Sequence, residues 1–201
     1  MISSRPQRVR RQLRALACFV VLAASGTALA VEPAEILSAL AQVSRSDATF
    51  EETRTIAVLT APVVRRGTLH YVRPAELTVV VESPVRERVR ISGNAVTIEG
   101  RNGTREFRLA DIPAVAAWVE SVRATLAGDA AALGRYFTVR ATGDLSRWTL
   151  ELTPLTAELS TAVSRVVIDG TNAKVARIDV AEPSGDRSVM VISPAAAGKN
   201  P

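Results

Sequence analysis

The chain has 201 residues, 47% of them hydrophobic but only 4% aromatic, with 25 basic and 20 acidic side chains and a formal charge of +5. One histidine and one cysteine are too few for a metal centre built from those ligands, and a lone cysteine excludes an internal disulfide. The excess charge is local: Arg5, Arg8, Arg10, Arg11 and Arg14 lie in the first thirty residues, which hold no acid, so the rest is neutral and gives no reason to expect a nucleic-acid partner.

Residues 1–30 read as a secretory signal. Those arginines form a basic leader, Ala15 to Ala24 a short apolar core, and Ala28-Leu29-Ala30 an A-x-A cleavage site. The apolar core is shorter than the roughly 20 residues that span a bilayer. Arg10-Arg11-Gln12-Leu13 is only a faint twin-arginine match, so the general secretion route is expected. Cys18 lies inside the signal, ahead of most of the apolar core, and is not placed for a lipid anchor. The mature chain of about 170 residues then relies on a hydrophobic core, without disulfides, and suits one domain.

A first helix is expected from Pro33 to Val43, with proline in the first turn and Ile36, Leu37, Leu40 and Val43 on one stripe. A long strand follows over Thr49–Leu59, with neither face cleanly polar. Next come a strand through Arg66–Val72, one over Glu76–Glu82, and one over Val85–Ile91 that turns Arg86, Arg88 and Arg90 to one side. Gly93-Asn94 and Asn102-Gly103 are turn signals around a strand at Ala95–Glu99, followed by one over Thr104–Leu109. The period then changes. Asp111 suits a helix N-cap, and Ile112, Val115, Val119, Val122 and Leu126 recur at helical spacing before Gly128. Asp129 can cap a short turn through Leu133. Strands return at Tyr136–Ala141, Arg147–Thr153, Val163–Asp169, Lys174–Ala181 and Arg187–Ser193. They are divided by Gly143-Asp144, the Pro154 loop, Asp169-Gly170 and Ser184-Gly185, and residues 195–201 read as a disordered tail.

Helix, strands, helix, strands describes an α+β domain over residues 31–194, built on one antiparallel sheet. About ten strands are too many for a flat open sheet, so curling is expected, with the two amphipathic helices covering the concave face over an apolar pocket.

One segment is more specific. In Arg66-Gly67-Thr68-Leu69-His70-Tyr71-Val72-Arg73-Pro74-Ala75-Glu76-Leu77, alternation puts Gly67, Leu69, Tyr71 and Arg73 on one face and Arg66, Thr68 and His70 on the other. An arginine thus closes an apolar row just before a proline. This resembles the G-x-L-x-x-x-R-P-x-x-L segment of the LolA-like family of periplasmic lipoprotein carriers. Trp148-Thr149-Leu150-Glu151-Leu152-Thr153-Pro154 is similar to the family's x-L-x-L-x-P strand, with a hairpin and the Gly185-Asp186-Arg187-Ser188 strand start after it. The likeness covers about residues 33 to 193.

The resemblance implies an incomplete, curved β-barrel closed by helices over a hydrophobic cavity. It implies a soluble, monomeric carrier without cofactor, taking acylated lipoprotein from an inner-membrane exporter to an outer-membrane acceptor across the periplasm of a Gram-negative cell. Arg73 matches the family arginine that holds the lid helix by its backbone carbonyls, here the helix of Ile112, Val115, Val119 and Val122. Candidate lining is aliphatic, apart from Tyr71: Leu69, Leu77, Val79, Val81, Val89, Ile91, Leu150 and Leu152, together with Val96, Ile98, Ile168 and Ile178. For each of them plain core is the commoner reading. The family's carriers often line the cavity with aromatic residues, so this departure leaves free lipid, glycolipid or aryl-polyene cargo open.

Other readings fare worse. His70 falls on the polar face, no G-x-S-x-G elbow is present, and Asp144, Asp169 and Asp186 sit beside turn glycines, so neither catalysis nor a calcium site is expected. A lipid-sensing or partner-binding module remains the alternative. The Arg86, Arg88 and Arg90 stripe suits anionic headgroups, or else is a solvated strand face with Glu99 and Glu106 across from it.

Overall fold

The computed structural model describes residues 31–195 except 75, 112–118, 120 and 121. The expected signal, Ile112, Val115 and residues 196–201 lie outside that set. Helix α1 (Pro33–Leu40) begins on its proline and buries Ile36, Leu37 and Leu40. It stops before Val43 because the next amides bond three residues back, Gln42 to Ala39 at 3.2 Å and Val43 to Leu40 at 3.0 Å, tightening the chain out of the helix.

Eleven strands follow: β1 (Arg45–Thr55), β2 (Val63–Val72), β3 (Glu76–Ser83), β4 (Glu87–Ser92), β5 (Ala95–Gly100), β6 (Gly103–Arg108), β7 (Phe137–Asp144), β8 (Arg147–Pro154), β9 (Arg165–Thr171), β10 (Lys174–Ala181) and β11 (Arg187–Pro194). Between β6 and β7 the chain makes a 3-10 turn at Leu109–Asp111, a helix α2 that is helical over 122–127, and α3 (Ala130–Leu133). A last short helix, α4 (Ala157–Ser160), separates β8 from β9.

The sheet order is β6-β5-β4-β3-β2-β1-β11-β10-β9-β8-β7. Two antiparallel meanders are joined where β1 pairs with β11, and the outer strands β6 and β7 do not meet. The result is a curved antiparallel sheet that does not close into a barrel, as the α+β reading anticipates.

Several boundaries differ from expectation. β1 starts at Arg45, four residues early, because β2 pairs with it from Val72 onwards. Ile56–Leu59 leave the sheet in a turn, where Val58 is 88% exposed. Val85 also falls outside β4. The β9–β10 turn is at Asn172, with φ of 51°, and not at Asp169-Gly170, which remain in β9. Gly170 is needed there for space: a Cβ would lie 2.1 Å from the Trp148 ring, whose Nε1 donates to the Asn172 carbonyl at 2.9 Å. The α4 helix was not expected; Thr156 caps it by accepting from the Leu159 amide at 3.2 Å. The expected cap on α3 is present, with the Asp129 carboxylate accepting from the Ala132 amide at 2.9 Å.

The sheet's two halves are packed differently on the same face. Trp148, Leu150, Leu152, Val166 and Ile168 form one dense core with Ile36, Leu37 and Leu40 of α1, Leu133 of α3 and Leu159 of α4. A smaller cluster on the other half joins Ile91, Val96 and Leu109 to Val119.

Candidate functional site: the apolar face of β2–β6

Strand register sets the candidate residues side by side. Tyr71 pairs with Leu77, Leu69 with Val79 and Gly67 with Val81. Leu77 then pairs with Ile91 and Val79 with Val89, and the rows continue to Val96 and Ile98 on β5. Period-2 alternation in four strands therefore makes one continuous apolar surface. Tyr71, Val81 and Ile91 are buried, whereas Leu69, Leu77, Val79 and Val89 are only partly covered. Val119 is buried against this surface and Val122 is partly buried. Leu150 and Leu152 are different. They lie fully buried in the dense core with α1, joined to the other half of the sheet.

At one end of this surface three side chains meet. Arg73, itself exposed, donates from Nη1 to the Ala41 carbonyl, while its amide bonds the Ser44 carbonyl at 3.0 Å. Arg73 thus holds the end of α1; most of the helix whose carbonyls the family pattern names, residues 112–118, 120 and 121, lies outside the described residues. The described part of α2 is stitched elsewhere, by Arg123 Nη1 donating to the Gly93 carbonyl at 3.1 Å. The two helices nonetheless touch: Gly128, with φ of 70°, ends α2 so close to α1 that a Cβ would lie 2.2 Å from the Leu37 carbonyl oxygen and 2.5 Å from the Ala41 Cβ. The Tyr71 hydroxyl is buried and has no hydrogen-bond partner among the described residues. Burial pushes its pKa up, while Arg73 and Arg123 pull it the other way.

At the other end an ionic group interrupts the apolar face. Glu52 is 8% exposed and pairs with Arg65 Nη1 at 3.2 Å. Sequence reasoning missed it, although a glutamate two residues after Phe50 on an inward row was a readable signal.

Outside this face, a shallow cleft of about 520 Å³ runs between the β3–β4 and β5–β6 turns, lined by Arg86, Arg88 and Arg101 with Glu87 and Glu99. Register places Glu99 directly across from Arg88, but Glu106 across from Thr97. The sole histidine bonds the Asp47 carboxylate on the opposite face of β1–β2, which lowers that carboxyl's pKa. On the same outer side Arg187, then Arg177, hold the buried Asp179 carboxyl below its usual range. Among the described residues no group of His, Cys, Asp and Glu could hold a metal, and no helix is long and apolar enough to cross a membrane.

Solved structures with related folds are distant. A LolA superfamily protein from Nitrosomonas europaea is 12% identical with a TM-score of 0.43, over 86% of this chain and 96% of its own. The MucA/MucB complex of Pseudomonas aeruginosa matches at 12% and 0.45, over 83% and 59%. The lipoprotein LppX of Mycobacterium tuberculosis matches at 10% and 0.38, over 84% and 100%. No curated protein matches the chain. The assignment rests on the family model for outer membrane lipoprotein carrier protein LolA-like chains, which matches residues 23–200, and the chain belongs to that family.

Proposed function

We propose that the chain is exported through its amino-terminal signal into the periplasm and carries acyl chains, foremost those of lipoproteins, towards the outer membrane. It acts by binding and not by catalysis. The observation that carries this reading is the incomplete cover of Leu69, Leu77, Val79 and Val89, in a sheet whose other half buries Trp148, Leu150, Leu152, Val166 and Ile168 in a dense core. An apolar face left partly open is unfavourable in water unless a ligand covers it. Aliphatic side chains offer an acyl chain contact without demanding hydrogen bonds, and each buried methylene contributes about 0.8 kcal/mol. A lipid anchor then leaves a membrane at a useful rate only when such a surface receives it.

Arg73 fits a gating role through α1. Its guanidinium holds the turn of α1 on which the Gly128 end of α2 rests. Lifting α2 from the sheet loads that contact, so Arg73 steadies the hinge and need not touch cargo. An inner-membrane exporter and an outer-membrane acceptor are the partners this route requires. A second cargo class, free lipid, glycolipid or aryl-polyene, is favoured by the aliphatic lining.

Native mass spectrometry of the mature protein, purified from its own periplasm without detergent, tests the proposal. A bound lipidated polypeptide is the expected result. A free lipid or polyene mass keeps the carrier and changes its cargo. A protein that stays empty even after incubation with acyl ligands contradicts it and leaves a partner-binding module.

A further inference from the structure

Along β1 the inward positions run Ala48, Phe50, Glu52 and Arg54, opposite Leu69, Gly67, Arg65 and Val63 of β2. The apolar face therefore ends one row beyond Phe50 and Gly67, at an ion pair. Glu52 is held twice, by Arg65 at 3.2 Å and by the Ser188 hydroxyl, which donates to Oε1 at 2.6 Å. Arg65 also reaches Glu87 at 3.6 Å, and in the next row Arg54 Nη2 meets Glu182 at 3.2 Å. Strand pairing does not require this arrangement, because β1 and β2 bond through their backbones whatever the side chains. A buried pair of this kind is often no more stabilising than a well-packed apolar pair. Its presence calls for another role.

We infer that the Glu52–Arg65 pair, braced by Ser188 and Glu87, is the end wall of the apolar face and sets the length of acyl chain that the protein covers. The inference rests on the carrier reading and deepens it. The six residue steps from Arg65 to Tyr71 span about 20 Å of strand, which bounds an acyl chain laid along β2. Up to the wall, each further methylene finds apolar cover and raises affinity about fourfold. At the wall, a methylene can advance only by stripping partners from a buried charge, so the gain stops.

The test is the affinity of the mature protein for saturated lysophosphatidylcholines graded from lauroyl to arachidoyl. Wild type should gain affinity with length and then reach a plateau. The double variant E52L/R65L removes both charges together, so neither is left buried alone, and its plateau should move to longer chains. E52Q/R65M, closer in bulk, serves if the first variant does not fold. A plateau at the same chain length in wild type and in the folded variant overturns the wall while leaving the carrier intact. A wild type that binds no chain of any length overturns both.

Discussion

Tyr71 places a hydroxyl in the protein interior with no described partner, and an unpaired buried donor costs about 1–3 kcal/mol. Tyr71→Phe should therefore raise stability, by about 1 kcal/mol in urea denaturation; a clear loss would mean that the hydroxyl does find a partner. Arg73 is the opposite case. It is exposed and, among the described residues, its side chain bonds the Ala41 carbonyl, so Arg73→Leu should cost only about 1 kcal/mol while altering the rate of acyl hand-over several-fold. Equal capture and release in the two proteins would remove Arg73 from the gate. Asp179 controls an acid limb. Its carboxyl is held below the usual value by Arg187 and then Arg177, so its stabilisation is present above the unfolded-state pKa near 3.9 and fades as pH falls through the lower folded value. Asp179→Asn should lose roughly 2 kcal/mol at neutral pH and converge on wild type only as pH falls through that lower folded value, a difference that urea midpoints across pH will reveal.

Among the elements, the two halves of the apolar face should respond differently to truncation. Leu150→Ala opens a cavity in the dense core and should cost about 2–5 kcal/mol. Leu77→Ala, at a partly covered position, should cost less and instead weaken acyl binding, as paired calorimetric unfolding and ligand titration would show. Much of this layout was legible in the sequence, because alternation in Leu69–Tyr71, Leu77–Val81 and Val89–Ile91 fixes which side chains share a face. Relative burial was not legible, since Leu150 and Leu77 carry the same pattern and differ only in which helices lie over them. Ile56 and Val58 extended the apparent β1, although strand pairing ends at Thr55. The four residues of α4 are too few to show a helical period. Glu52 was readable as a break in the inward row after Phe50, but its partner Arg65 follows only from the β1–β2 register.

For the whole molecule, an open sheet with one densely cored half and one loosely covered half divides the work of stability from the work of binding. β7–β10 with α1, α3 and α4 supply a core, and α1 carries the latch from that core to Arg73. β2–β6 then keep an apolar surface in reach of water at a tolerable cost, because the core on the other half holds the sheet in shape. Photolabelling with a diazirine-bearing acyl chain, followed by peptide mapping, tests this division most directly. Adducts are expected at Leu69, Leu77, Val79 and Val89, and none at Leu150 or Leu152. Labelling confined to the outer face, or spread evenly over both halves of the sheet, would contradict it.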